Sequence, residues 1–204
     1  MTTYTTIPAN AVIERTVRNL RERTNVEAVV VETRAQALKL LVAKLPRGAE
    51  IYNNASITLN EIGFTDYLAE HPGKYRNVRS AIVGETDAAK RYELRRKLSA
   101  VDYVVGSVNA VTEQGEMVFA SHGGSQVPMY AFTAKHVVWV VGANKIVPTI
   151  DDAIRRVREH AHPLEDKRIG RTDPPTRIGK WLIYEYEWYD GRASMIVVKE
   201  ALGF

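Results

Sequence analysis

The chain has 204 residues, 45% of them hydrophobic and 25% charged, which is enough to bury a full core and excludes disordered, collagen-like and low-complexity classes. With no cysteine, it has no disulfide scaffold, no thiolate metal site, no cysteine nucleophile and no iron–sulfur cluster of its own. A net charge of +4 from well-mixed residues does not describe a nucleic-acid binder.

The segment from Met1 to Asn10 has no basic-then-apolar leader pattern. No apolar run approaches the roughly 18 residues that a membrane span needs, so the expected location is cytoplasmic. Ile13, Val17 and Leu20 fall at i, i+4 and i+7 and predict an amphipathic helix. Val26 to Glu32 reads as a buried strand. Thr33 to Gln36 is a capping box, opening a helix with Leu38, Leu41, Val42 and Leu45 on one stripe. Pro46 and Gly48 stop it. Glu50 to Asn53 is a short strand. Thr58 and Glu61 have capping-box spacing ahead of Gly63, and Phe64 to His71 reads as a further helical turn or two. Asn77 to Gly84 reads as strand or extended link, and Glu85 to Leu98 as helix. Basic residues outnumber acidic ones from Lys74 to Lys97, as on a solvated face or on a rim that attracts an anion.

Val101 to Val105 reads as a strand that continues through small and polar residues to Thr112. Glu113 to Gly115 is a turn and Glu116 to Ala120 a returning strand. Ser121 to Gln126 is a loop, Pro128 to Phe132 a short helix, and His136 to Gly142 a buried strand. Thr149 caps the next helix, whose core face is Ile150, Ala153, Ile154, Val157 and Ala161. Residues 163–180 are charged and nearly devoid of apolar side chains, and read as an exposed loop or lid. Residues 181–204 read as a C-terminal β-hairpin around Asp190-Gly191, with Leu182, Tyr184, Tyr186 and Trp188 on one face. The whole predicts a single domain over 1–204. Its class is α/β, with a mixed, mostly parallel sheet covered by helices on both faces.

Common catalytic signatures are missing. There is no G-x-G-x-x-G, Walker A loop, H-E-x-x-H or G-x-S-x-G. His160 and His162 are two apart, so they do not share a helix face and read as surface residues rather than a metal pair. Ser121-His122 lacks an orienting acid and, as adjacent residues, does not offer nucleophile–base geometry.

One constellation stands out, at apparent strand ends where open α/β sheets bind ligands: Asn109, Thr112, Glu113, Gly115, Ser121, Gly123, Gly124, Asn144 and Lys145. Gly123 and Gly124 can present backbone N–H groups to an anion, Lys145 a positive charge, and Glu113 a base. Gly, Asn and Ser dominate turns in any case, so ordinary turns are the competing reading.

Three stretches resemble the LUD domain family of lactate-utilisation proteins, which includes the lactate utilization protein C group. They are Asn54 to Gly63, Gly106 to Gly115, and Val140 to Val147 with the helix after it. The resemblance spans roughly residues 10–200. It implies a fold similar to the sugar-phosphate isomerase and CoA-transferase-like group. It also implies an accessory role in oxidising L-lactate to pyruvate beside larger iron–sulfur subunits. From their places at the apparent strand ends, Glu113 and Lys145 are candidate catalytic residues, and Ser56, Asn109, Thr112, Gly123, Gly124 and Asn144 candidate ligand contacts. No cofactor is identifiable. The loop His122 to Gln126 and the tyrosine-rich segment 181–204 depart from the family pattern. Two other readings stand beside the accessory one: an enzyme or binding protein for an anionic metabolite such as a sugar phosphate or acyl-CoA, and a regulatory scaffold without turnover. Expected partners are such a metabolite, the iron–sulfur subunits and a second copy of the chain, with no nucleic acid and no membrane span.

Overall fold

The computed structural model describes residues 4–204. Helix α1 (Asn10–Thr24) buries Ile13, Val17 and Leu20 and ends at Asn25, which takes the left-handed conformation at φ 55°. After strand β1 (Glu27–Val31), Thr33 accepts from the Gln36 N–H and the Gln36 side chain reaches back, so α2 (Arg34–Lys44) starts on a complete capping box. Strand β2 (Glu50–Asn53) leads into α3 (Ile57–Glu61) and α4 (Phe64–Glu70). The cap of α3 is Ser56, whose hydroxyl accepts from the Leu59 N–H, and not the expected Thr58. Thr58 lies two residues further on, fully buried.

Strand β3 (Arg76–Asn77) is very short, and the extended link expected up to Gly84 is instead helix α5 (Arg79–Gly84). Helix α6 (Ala88–Lys97) follows, then β4 (Tyr103–Gly106), β5 (Ala110–Thr112) and β6 (Met117–Ser121). The short helix expected near Phe132 is a π-helical turn, Met129–Thr133. Strands β7 (His136–Gly142) and β8 (Ile146–Val147) precede α7 (Ile150–Arg156), capped by Thr149. A second π-helical turn, Val157–Ala161, joins α7 to α8 (His162–Ile169) as one continuous helix. The loop expected from residue 163 therefore starts only at Gly170. The π turn shifts the hydrogen-bond register just before Pro163, whose ring and missing N–H would disrupt an uninterrupted α-helix.

Six strands form one sheet in the order β1-β10-β7-β4-β2-β3, where β10 is Ala193–Val198, and every pairing in it is parallel. A second sheet, β8-β5-β6-β9 with β9 at Lys180–Tyr184, holds the antiparallel pairs. The two C-terminal strands therefore do not pair as the expected hairpin. Strand β9 joins β6, and β10 lies between β1 and β7. All six residues of β10 are buried, and Ala-Ser-Met-Ile-Val-Val is the near-continuous apolar run of a central parallel strand. The connection leaves Tyr186, Trp188 and Tyr189 exposed, so the aromatic face expected along the first strand ends at Tyr184.

Alternate residues of β7 and β10 feed two cores. Val137, Trp139, Met195 and Val197 pack with α1 and the second sheet. Val138, Val140, Ile196 and Val198 pack with α2, Leu59 and Phe64. No helix among the described residues is long and apolar enough to cross a membrane.

Candidate functional site

Strands β2, β4 and β7 run parallel and end at one edge of the large sheet. There they open onto a cavity of about 550 Å³. This is where a parallel sheet leaves a crevice for ligand. Its floor comes from the segments following those strands: Asn53 to Thr58, Ser107 to Asn109, and Lys145. The long helix forms one wall with Val157, Ala161 and Glu165. Residues 171–178 and the loop at Ser121 to Gly123 complete the rim.

Lys145 is the pivotal side chain. It sits in a short helical turn after β7 and is 2% exposed. Its ammonium donates to Thr58 Oγ1 at 3.0 Å, Ser107 Oγ at 3.2 Å and the Val108 carbonyl at 3.2 Å. All three acceptors are uncharged. Burial, and then the positive charge of Arg156, lower its pKa to about 7, against a weaker opposing pull from Glu61. Arg156 is itself fully buried, bonded to the Asn109 carbonyl at 2.6 Å with its Nε unpaired, and burial lowers its pKa to about 10. Neither buried cation has a carboxylate hydrogen-bonded to it among the described residues. Such charges are costly unless compensated.

The rest of the lining has the same sign. Among the described residues, Arg79, Lys145, Arg168, Arg171 and Arg177 face a single acidic side chain, Glu165. Of the basic stretch noted in the sequence, Arg79 reaches the cavity and α6 does not. Among the described residues, no cluster of three His, Asp or Glu side chains is placed to hold a metal ion.

Lys145, Ser56, Asn109 and Gly123 line this cavity together. Thr112, Glu113, Gly124 and Asn144 do not. Glu113 pairs with Arg15, and its carbonyl accepts from Asn19 at 2.7 Å, so the 113–115 turn is drawn onto α1. Thr112 is bonded to Glu116. The buried Gly124 donates to Ser121 Oγ at 3.0 Å, and a β-carbon there would meet the Lys180 side chain. Asn144 supports the site from behind. It accepts from the Leu202 N–H at 3.0 Å and donates to the Gly203 carbonyl at 3.3 Å, holding the segment that brings Phe204 to the cavity. Gly203 must lack a side chain, since a β-carbon would strike Thr58 Oγ1 and crowd the Lys145 ammonium at 3.1 Å.

Several lining residues were not singled out from the sequence. Thr58 and Ser107 hold Lys145 in place; His162, expected at the surface, instead lines the cavity beside Thr176 at 3.0 Å. For Arg168, Arg171 and Arg177 the only sequence signal was the density of charge after residue 163. Ser121 and His122 also line the cavity, but the Ser121 hydroxyl accepts from Gly124 and His122 Nδ1 lies 2.7 Å from the Arg177 carbonyl. A second, shallower recess of about 420 Å³ lies at the opposite edge of the sheet, and its buried cation, Arg192, is already paired with Glu187.

Comparison with known proteins agrees with this architecture. A crystal structure of a DUF162 family protein from Deinococcus radiodurans superposes with a TM-score of 0.54 at 13% identity, covering 94% of this chain and 99% of that one. At that identity the likeness speaks for the fold alone. No curated protein matches the sequence. The LUD domain model matches residues 13–180, which include β2, β4, β7 and Lys145 at their edge. The chain belongs to the LUD domain family.

Proposed function

We propose that this chain binds a small organic anion at the carboxyl edge of its parallel sheet, in the lactate-related setting that its family suggests. One observation carries the reading: Lys145 is a buried amino group lining a cavity, protonated below about pH 7, and every hydrogen-bond partner it has is neutral. Those acceptors use all three N–H groups of the ammonium, so a carboxylate placed there supplies the missing countercharge by displacing one of the two hydroxyls, and a hydrogen bond to a charged group contributes about 1.5–3 kcal/mol. Asn53, Asn54 and Asn109 add neutral donors and acceptors to the same floor. Within the family setting, the anion is a 2-hydroxy or 2-oxo carboxylate, and the chain acts as an accessory component of L-lactate oxidation. Iron–sulfur clusters in such a system fall to partner subunits, because a chain without cysteine holds no thiolate-bound cluster.

Calorimetric titration with L-lactate and pyruvate tests the anion site. Lys145→Met keeps the length and apolar stem of the side chain and removes the charge. We expect it to weaken binding at least tenfold, which corresponds to about 1.4 kcal/mol. Equal affinity in the two proteins would sink the proposal. The accessory role is tested by co-purification of iron–sulfur proteins with the chain from its own host, and their consistent absence counts against it.

A further inference from the structure

The helical wall of the cavity shows its length. Val157, Ala161, Glu165 and Ile169 recur every four residues along one continuous helix, and all of them line the cavity. At about 1.5 Å per residue this stripe spans about 18 Å, so the cavity is a trough. Lys145 belongs to the Val157 end, where its charge acts on both Arg156 and His160. Past Ile169 the chain turns through Gly170, and the returning loop brings Arg171 and then Arg177 to the same trough, with Thr176 against His162 and Asp166.

The charges at this far end are not alike. Arg168 is held by Glu165 through two hydrogen bonds of 2.7 and 2.6 Å. The guanidinium groups of Arg171 and Arg177 have no partner among the described residues. Their loop is nonetheless anchored. Thr176 donates its N–H to Asp166 Oδ1 at 3.1 Å, and Gly179 donates to the Ser121 carbonyl at 3.0 Å. Gly179 packs so closely that a β-carbon would collide with the His122 carbonyl. Two guanidinium groups without partners among the described residues, on a tethered loop, supply the positive charge and the N–H donors that a phosphate group takes.

We propose that this distal arm is a phosphate subsite: the ligand is an elongated metabolite with its carboxyl or carbonyl end at Lys145 and a phosphate-bearing end at Arg171 and Arg177. The inference rests on the reading of Lys145 given above. Cavity size agrees with it, since about 550 Å³ lies within the range of sites for drug- and cofactor-sized molecules and far exceeds a three-carbon acid.

Inorganic pyrophosphate is a suitable probe, titrated calorimetrically into the full chain at low ionic strength. We expect R171Q/R177Q, both exposed positions, to weaken its binding at least tenfold. R18Q/K39Q removes two exposed cations that do not line the trough and should leave affinity within twofold. No uptake by the unsubstituted protein, undiminished binding by R171Q/R177Q, or an equal loss in R18Q/K39Q would each overturn the subsite. A parallel titration with pyruvate separates the two readings. Pyrophosphate binding that depends on Arg171 and Arg177, in a protein that binds neither lactate nor pyruvate, removes the Lys145 reading and leaves the phosphate subsite standing.

Discussion

The phenolic oxygen of Tyr130 occupies the space that a β-carbon on Gly106 would need. It also accepts a hydrogen bond from the Asn54 side chain at 2.8 Å. The end of β4 is thereby locked to the floor of the cavity. Gly106→Ala should destabilise the fold by about 1–3 kcal/mol, the usual cost of overpacking. Removing the obstructing hydroxyl with Tyr130→Phe should recover part of that loss. Thermal denaturation of the two single variants and the double variant checks it; strictly additive losses would contradict the steric account.

Lys145 makes stability depend on pH in a direction that can be worked out. Its pKa falls from 10.5 in the unfolded chain to about 7 in the fold. Between those values the unfolded state binds more protons, so stability rises with pH from about 7 to about 10.5 through this group. Lys145→Met removes that dependence. The variant should gain most relative to the unsubstituted protein near pH 6, and the difference should shrink towards pH 10. Melting temperatures at the two pH values provide the measurement, and a difference that grows with pH would refute it.

Arg192 and Glu187 form an ion pair at 2.6 Å, with side chains 7% and 4% exposed. The same guanidinium donates to the carbonyls of Met129, Tyr130 and Ala134 at 3.1 Å, tying the start of β10 to the π turn. Arg192→Met leaves a buried carboxylate unpaired and should cost about 3–5 kcal/mol. Adding Glu187→Leu should restore part of this in urea unfolding. A double variant less stable than Arg192→Met alone would show that the isolated charge is not the source of the loss.

Asp166 is buried at the hinge of the arginine-bearing loop. Its carboxylate accepts from both the hydroxyl and the N–H of Thr176, and the hydroxyl bond leads in holding its pKa below the usual carboxylate range. Asp166→Ala should speed tryptic cleavage after Arg171 and Arg177 severalfold, while the core strands keep their amide protection. Unchanged cleavage kinetics would mean that the loop is held by its other contacts.

The local signals in the sequence were the dependable ones. The Thr33 capping box, the Thr149 cap and the apolar run of β7 each specify an element from neighbouring residues, and each is present. Lys145 was readable as a candidate because it follows a strand end. Partners distant in the chain decided the rest. Arg15 and Asn19 draw Glu113 onto α1, and nothing near Glu113 encodes that. Asp190-Gly191 gives a hairpin turn signal, but β10 finds better burial between β1 and β7 than beside β9. Arg171 and Arg177 reach the trough only because Gly179 lets their loop close on the 121–123 segment.

The position of β10 also bears on how the chain is made. Synthesis delivers β1 and β7 long before Ala193, and each then presents a bare strand edge where the middle of the sheet will be. Such edges invite pairing with other chains. A nascent protein of this design stays exposed to aggregation until its final strand emerges, so its yield should respond to chaperone supply more than its finished stability suggests. A chain halted before Ala193 should show no cooperative thermal transition.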